Sequence, residues 1–193
     1  AITGVRFTRQ GQSCTAASRI FVHRTLIDTF VNELANAVDT MVMGDPLDEK
    51  TDIGTIVSPA QFERVQTYVN IAKSDPAGTV RRCSTLPTDG HLKDGLFVQP
   101  CIITGLPNNH KVCTDEIFGP VTCVIPFDSY DDAIKMANDS EYGLAATIWT
   151  QDLSTAMRAV HELEAGFVQV NQNVVVQPML PYGGVKTSGI GKE

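Results

Sequence analysis

Ser18-Arg-Ile-Phe-Val-His23, followed after Arg24 by Thr25-Leu-Ile-Asp-Thr-Phe30-Val-Asn-Glu-Leu34-Ala-Asn-Ala-Val38-Asp-Thr-Met41-Val-Met43, decides the fold class. The first run alternates and is rich in β-branched and aromatic side chains, which is the pattern of a strand. In the second, Leu26, Phe30, Leu34, Val38 and Met41 or Val42 recur on one helical stripe. Asp28 lies early in that helix, and Gly44-Asp45-Pro46 supplies its stop. A strand that feeds directly into an amphipathic helix is the repeating half of an α/β layer.

The alternation continues downstream. The charged residues 47–53 read as a loop. Ser58-Pro59-Ala60-Gln61 has the form of an N-cap, a proline at the first helical position and a capping-box glutamine. The helix it opens carries Phe62, Val65, Tyr68, Val69 and Ala72, and closes near Lys73. Asp75-Pro76-Ala77-Gly78 is a turn, 79–83 a short strand and 85–95 a polar loop. Residues 96–104 return to β character, with Pro100 marking an edge or a break. Residues 121–127 form a continuous apolar run of buried-strand length. Asp128-Ser129 caps a helix over 130–138 with Ala133, Ile134 and Ala137 facing inward. A strand at 144–150, a helix at 153–163 and a strand at 167–171 follow, after which the chain is irregular and glycine-rich. The expectation is an α/β fold: a three-layer α/β/α sandwich with a largely parallel sheet, right-handed crossovers putting helices on both faces. Residues 1–193 are read as one thiol-bearing domain.

Composition sets the outer limits. Apolar residues make up 42% and charged residues 19% of 193, the balance of a globular chain with a real core. The net charge of −7 argues against nucleic acid or an anionic membrane as the main partner, but not against a small anionic substrate. No apolar run approaches the roughly 20 residues that span a bilayer. The five cysteines (14, 83, 101, 113, 123) are an odd set without a C-x-x-C pair. Such a set suits free thiols in a reducing compartment, and so the cytoplasm. The four histidines are scattered without ligand spacing, so no metal site is expected. Position 1 is not Met and the N-terminus has no signal-peptide layout; both ends read as cut from a longer protein.

Upstream of the opening strand lies Phe7-Thr-Arg-Gln-Gly11-Gln12-Ser13-Cys14-Thr15-Ala16-Ala17. Cys14 sits among small and amide residues just after a Gly-Gln turn signal, where backbone N–H groups favour a thiolate and a substrate has room. A lone cysteine is more often a small buried hydrophobe, and no base lies close in sequence, so a cysteine protease has nothing further to support it. Asp115-Glu116-Ile117-Phe118-Gly119-Pro120 forms a rigid turn that presents a carboxylate and an aromatic ring; it could equally be a plain turn with solvated acids. The tail, Pro181-Tyr182-Gly183-Gly184-Val185-Lys186-Thr187-Ser188-Gly189-Ile190-Gly191-Lys192-Glu193, fails the phosphate-loop pattern in every register. It reads as a turned segment whose backbone passes close to something, with Tyr182 as an aromatic wall.

Together, in this order and along nearly the whole chain, these three stretches resemble the NAD(P)-dependent aldehyde dehydrogenase superfamily. Phe7-x-x-x-Gly11-Gln12-x-Cys14 resembles its cysteine signature. Asp115 to Val121 resembles its E-E-I-F-G-P-V turn, with Asp for the first Glu. Pro181 to Glu193 resembles its P-F-G-G-x-K-x-S-G-x-G-R-E segment. The resemblance implies that Cys14 attacks an aldehyde and passes through a thiohemiacetal and a thioester to a carboxylic acid, with its own N–H as half of an oxyanion hole. It implies that Glu116 holds the nicotinamide ribose of NAD (NADP not excluded), that Phe118 packs near the nicotinamide, and that Glu193 serves in proton relay. Ser13, Thr15, Asn171, Val176 and Tyr182 would line the aldehyde tunnel. There the apolar Val174-Val175-Val176 favours an uncharged small-molecule aldehyde. In the family the general-base glutamate, the oxyanion asparagine and the dinucleotide-binding domain lie upstream of the cysteine segment, and an oligomerisation strand lies downstream. The expectation is therefore a catalytic domain that is inactive alone and part of a homo-oligomer, dimer or tetramer, when full length. A CoA-acylating or phosphorylating relative, or a non-catalytic protein that kept the fold, stays open beside it; the Glu193 match favours hydrolysis.

Overall fold

The computed structural model describes residues 3–88, 90–173 and 175–192. It divides into two compact units, Ala1–Pro126 and Phe127–Glu193. The fold is α/β with a mostly parallel arrangement of strands.

In the first unit, strand β1 (Arg19–His23) leads into helix α1 (Ile27–Asp39). The helix is shorter at both ends than its apolar stripe predicts. Arg24–Leu26 form a 3-10 turn, capped by His23 Nδ1, which accepts from the Thr25 N–H. Beyond Asp39 the chain pairs elsewhere: the Val42 N–H donates to Asp52 Oδ2, the Ile53 N–H donates to the Val42 carbonyl, and Met43 bridges Ile53. Met43 is thereby buried, while Leu26 and Val42 are exposed. Periodicity counts apolar residues and cannot see that those flanking a helix belong to another pairing.

Helix α2 (Pro59–Ser74) begins as its sequence predicts, with Ser58 Oγ accepting from the Gln61 N–H at 3.3 Å and Pro59 in the first turn. Its inner stripe buries Val65, Tyr68, Val69 and Ala72. Three more strands follow: β2 (Thr79–Arg82), β3 (Cys101–Thr104) and β4 (Val121–Phe127), in the order β1-β4-β3-β2. β3 and β4 are parallel, with Ile102 opposite Thr122 and Ile103 opposite Cys123; β2 is an antiparallel edge on β3. Pro100 is a break rather than an edge. It cannot donate to a ladder, so β3 starts one residue later as an interior strand, and the Pro100 carbonyl accepts from the Cys83 N–H at 2.8 Å.

The strand period of two distributes the core. Ile102 and Val124 pack with Phe7, Val22, Leu34, Ala35 and Val38 on the α1 side. Cys123, one residue on from Thr122, faces the other way, where its Sγ lies 3.7 Å from the Val112 carbonyl of the short helix α3 (Lys111–Thr114). α2 packs on β2 and α3. Helices thus cover both faces of this sheet, as the alternation predicts.

The second unit is built from α4 (Tyr130–Asn138), β5 (Ala145–Ile148), α5 (Leu153–Glu162) and β6 (Phe167–Val170). β5 and β6 are parallel, with Ala145 opposite Phe167, and α5 is their crossover. Ser129 Oγ caps α4 by accepting from the Asp132 N–H, and Asp152 caps α5 by accepting from the Thr155 N–H at 2.6 Å. Each predicted element here stands to within a few residues. Among the described residues no helix is long and apolar enough to cross a membrane.

Val65 is fully buried at the centre of α2. Val65→Ala is expected to lower the unfolding free energy by about 1–3 kcal/mol, read as a lower urea midpoint at unchanged slope.

Candidate functional site

Cys14 lies on a turn assembled by backbone strain and one buried anchor. Arg6, Gln10 and Gly11 all take left-handed backbone angles (φ of 55°, 54° and 65°) on either side of the 3-10 turn Phe7–Arg9. The Gln10 N–H bonds the Phe7 carbonyl, and the Gly11 N–H bonds the Arg6 carbonyl. Phe7 sinks into the α1-side core and pins the turn. Non-glycine residues adopt such angles at a cost of order 1 kcal/mol each, tolerated where packing over-determines the chain. Past Gly11 the chain surfaces. Cys14 is exposed, whereas the other four cysteines are buried. Ser13 Oγ and Thr15 Oγ1 pair across it at 3.1 Å. The Gln12 side chain does not turn back on its own loop; its Oε1 accepts from the Val57 N–H at 3.0 Å.

The second candidate stretch adjoins the first. A Cβ on Gly11 would fall on the Gly119 carbonyl, so the base of the cysteine turn presses directly on the backbone of the Glu116 turn. Downstream, Thr122 Oγ1 donates to the Ala17 carbonyl and the Cys123 N–H to the Ser18 carbonyl, both at 2.8 Å. The turn therefore reaches β1 already bonded to β4.

Glu116 and Phe118 are both exposed on their turn, while Ile117, Gly119 and Pro120 are buried beneath it. Phe118 has a φ of 58°, in the left-handed region. What holds that angle is one face of α2. Gln61 Nε2 donates to both the Ile117 and the Phe118 carbonyl at 2.8 Å. Arg64 Nη2 donates to the Glu116 carbonyl at 2.8 Å, and the Tyr68 hydroxyl donates to Asp115 Oδ2 at 2.6 Å. Residues 61, 64 and 68 share a helical face. The capping-box reading of Gln61 is thus corrected: its backbone N–H is capped by Ser58, but its amide clamps a turn distant in sequence. Gln61, Arg64 and Tyr68 are the supporting residues that sequence reasoning missed. The available signal was polar side chains at helical spacing beside the apolar stripe.

The remaining candidates belong to the second unit. Asn171 is left-handed (φ 53°), and its amide is engaged at both ends by the Thr150 backbone: Oδ1 accepts from the N–H at 2.9 Å and Nδ2 donates to the carbonyl at 2.8 Å. Gln169, on β6, clamps Val175 in the same two-ended way. Val176 is exposed, with Val175, Met179 and Leu180 exposed beside it. Tyr182 packs edge-on against Phe167 with ring centroids 5.4 Å apart. The tail is a stapled segment. Lys192 Nζ donates to the Gly166 and Gly183 carbonyls, which approach too closely for a Cβ on Gly166. Lys186 Nζ holds the Asn138 and Ser140 carbonyls and the Glu164 carboxylate at 2.6–3.0 Å. The close approach expected of this stretch is therefore to the entry of β6. Glu193 and Val174 lie outside the described residues. Among the described residues, no group of three His, Cys, Asp or Glu side chains could hold a metal ion.

The family model described as the aldehyde dehydrogenase family matches residues 1–193. A betaine aldehyde dehydrogenase of Mesorhizobium japonicum is 40% identical over 188 residues, 97% of this chain and 38% of that protein. Aldehyde dehydrogenase [NAD(P)+] 2 of Saccharomyces cerevisiae is 38% identical over 191 residues, covering 97% and 37%. Among solved structures, betaine aldehyde dehydrogenase of Staphylococcus aureus in complex with NAD+ superposes with a TM-score of 0.91 at 34% identity, over 99% of this chain and 38% of that one. An NAD+ complex of an aldehyde dehydrogenase from Bacillus cereus gives 0.88 at 37% identity, over 99% and 38%. The chain thus spans less than two fifths of the length of these relatives.

Two outcomes are expected from the geometry alone. Burial pushes the Cys83 thiol up to about 11, with the Asp39 carboxylate adding to it, and burial pushes Cys101 to about 11 as well. With iodoacetamide at neutral pH, Cys14 should therefore be alkylated at least about tenfold faster than either, read by peptide mass spectrometry. Gln61→Ala removes both bonds to the turn, and amide hydrogen exchange across residues 116–119 should then rise about tenfold while the core of β4 keeps its protection.

Proposed function

The chain belongs to the aldehyde dehydrogenase family, and from that premise we propose that it carries the thiol and the nicotinamide-ribose contacts of an enzyme that oxidises an aldehyde to a carboxylic acid with NAD. The observation that supports this most directly is the seat of Cys14: an exposed thiol on a strained turn, backed through Gly11 onto the turn that displays Glu116 and Phe118. An exposed carboxylate beside an exposed aromatic ring, on a backbone clamped by Gln61 and Arg64, suits a ribose diol and a flat heterocycle. The residues present therefore fit the nicotinamide end of the cofactor. Bound there, NAD supplies the acceptor for a hydride.

The steps then fall to the residues of this chain. The Cys14 thiolate attacks the aldehyde carbon, and its own N–H donates to the oxygen as negative charge develops. The thiohemiacetal loses hydride and becomes a thioester. Water adds to that thioester, releasing the acid and returning the thiol. The Glu116 carboxylate would accept from the ribose hydroxyls, and the Phe118 ring would limit the positions of the heterocycle. Ser13 and Thr15 flank the thiol. Asn171 sets the course of the segment that carries Val176 and Tyr182 along the aldehyde path, and Glu193 relays protons. Val175 and Val176, both exposed and apolar, favour an uncharged aldehyde. In this reading the full-length protein is a cytoplasmic homo-oligomer. Residues 1–193 alone do not turn over, since they span under two fifths of relatives that do the whole reaction.

The test uses the full-length protein with a panel of neutral and charged aldehydes and the formation of NADH as readout. Cys14→Ser should lower kcat by at least about a thousandfold with NAD binding kept, and Glu116→Gln should raise KM for NAD about tenfold. A Cys14→Ser enzyme that keeps its turnover, or NADH formation by residues 1–193 alone, would sink the corresponding claim.

A further inference from the structure

The three side chains of α2 that hold the Glu116 turn form a register. Residues 61, 64 and 68 rise along one face of the helix and meet the turn in reverse order. Gln61 Nε2 donates to the Ile117 and Phe118 carbonyls, Arg64 Nη2 to the Glu116 carbonyl, and the Tyr68 hydroxyl to Asp115 Oδ2. Seven residues of helix rise about 10.5 Å, and the three chain steps from 115 to 118 span at most about 11 Å. Helix and turn are therefore matched in length, and each contact fixes its own residue.

The contact at the Asp115 end differs from the others. It runs from side chain to side chain, and at 2.6 Å it is the shortest of the set. Tyr68 is buried, and two cations meet its ring: the Arg64 guanidinium at 5.1 Å from the centroid and Lys111 Nζ at 5.9 Å. Lys111 Nζ also lies 4.0 Å from Asp115 Oδ2, and Thr114 Oγ1 lies 3.3 Å from Asp115 Oδ1. The Asp115 N–H closes α3 by donating to the Lys111 carbonyl. Asp115 is thus the point at which α2, α3 and the turn are tied together. The next residue is Glu116, whose side chain is exposed and whose carbonyl Arg64 holds. Its backbone is fixed on the N-terminal side through Tyr68 and Asp115, and on the C-terminal side through Arg64. A carboxylate that meets its ligand from solvent takes its direction from that backbone.

We propose that Tyr68, acting through Asp115, is a positioning residue that holds the Glu116 carboxylate where it accepts from the hydroxyls of a ribose. This rests on the function proposed above, in which Glu116 receives the nicotinamide ribose. The ring of Tyr68 carries the packing and the cation contacts, whereas its hydroxyl carries the direction. Without the hydroxyl the peptide between Asp115 and Glu116 is released at one end, and the carboxylate divides its time among several positions. Apparent affinity falls with the fraction that stays competent, so a fall to about one fifth raises the Kd for NAD about fivefold.

The test uses the full-length protein. Tyr68→Phe keeps the ring and its two cations and removes the hydroxyl alone. It should raise the Kd for NAD, measured by titration calorimetry, about fivefold, and leave the KM for the aldehyde within about twofold. The rate of Cys14 alkylation without NAD should not change. Asp115→Ala leaves the tyrosine intact and should weaken NAD binding as much as Tyr68→Phe does. Asp115→Asn keeps an oxygen for the hydroxyl and should stay within about twofold of wild type, since the exposed pair with Lys111 contributes little. The decisive measurement is the cycle with Glu116→Gln. Once that carboxylate is gone, Tyr68→Phe should weaken NAD by less than about twofold further, whereas a hydroxyl that only stabilised the fold would act equally in both backgrounds. The proposal is overturned if Tyr68→Phe and Asp115→Ala both keep wild-type affinity while Glu116→Gln loses it. An undiminished effect of Tyr68→Phe in the Glu116→Gln background overturns it as well. Wild-type affinity in Glu116→Gln itself is a distinct result, which overturns the ribose reading and this proposal with it.

Discussion

The contact between Gly11 and the Gly119 carbonyl is the constraint on which the rest of the first unit turns. There is no space for even a methyl group between them, and Gly11 is left-handed besides, so the position excludes any side chain for two independent reasons. Its effect is to make two turns behave as one body. The exposed thiol at Cys14 and the exposed pair Glu116 and Phe118 are carried on separate loops, yet their bases share a packing surface. A site whose parts are fixed through backbone contact is better pre-organised than one held by side-chain reach.

Support for that body comes from beneath. Phe7 anchors the cysteine turn in the α1-side core, and Gln61, Arg64 and Tyr68 anchor the other turn from α2. Each left-handed residue is an unfavourable local choice, and in each case tertiary bonds compensate. The second unit uses the same device with different residues: two lysines donate to main-chain carbonyls and hold a glycine-rich tail, Lys186 against the end of α4 and Lys192 against the start of β6. Cationic donors to carbonyls are strong enough to order a segment that has almost no apolar side chains to bury.

The cysteines divide along the same line. Burial keeps Cys83 and Cys101 protonated, exposure leaves Cys14 available, and the buried Cys123 thiol is directed at the Val112 carbonyl. Residue type does not distinguish these three situations, and neither does spacing along the chain. They are distinguished by solvent and by neighbours.

Much of the architecture was legible in the sequence, because local pattern and local chemistry govern it. Alternation located β1, β5 and β6, an apolar run located β4 to the residue, and Ser58 and Ser129 marked helix starts through caps that act within three residues. Motif order singled out the three stretches on which the family resemblance rests. The tertiary structure alone decided what lies between distant residues. It ended α1 at Asp39 because Val42 and Met43 found partners at Asp52 and Ile53. It made Gln61 a clamp on Phe118 rather than a cap, and it set Gly11 on Gly119. Periodicity records which face of an element is apolar, but the partner that covers that face is chosen by packing across some tens to a hundred residues of chain, and no local pattern encodes it.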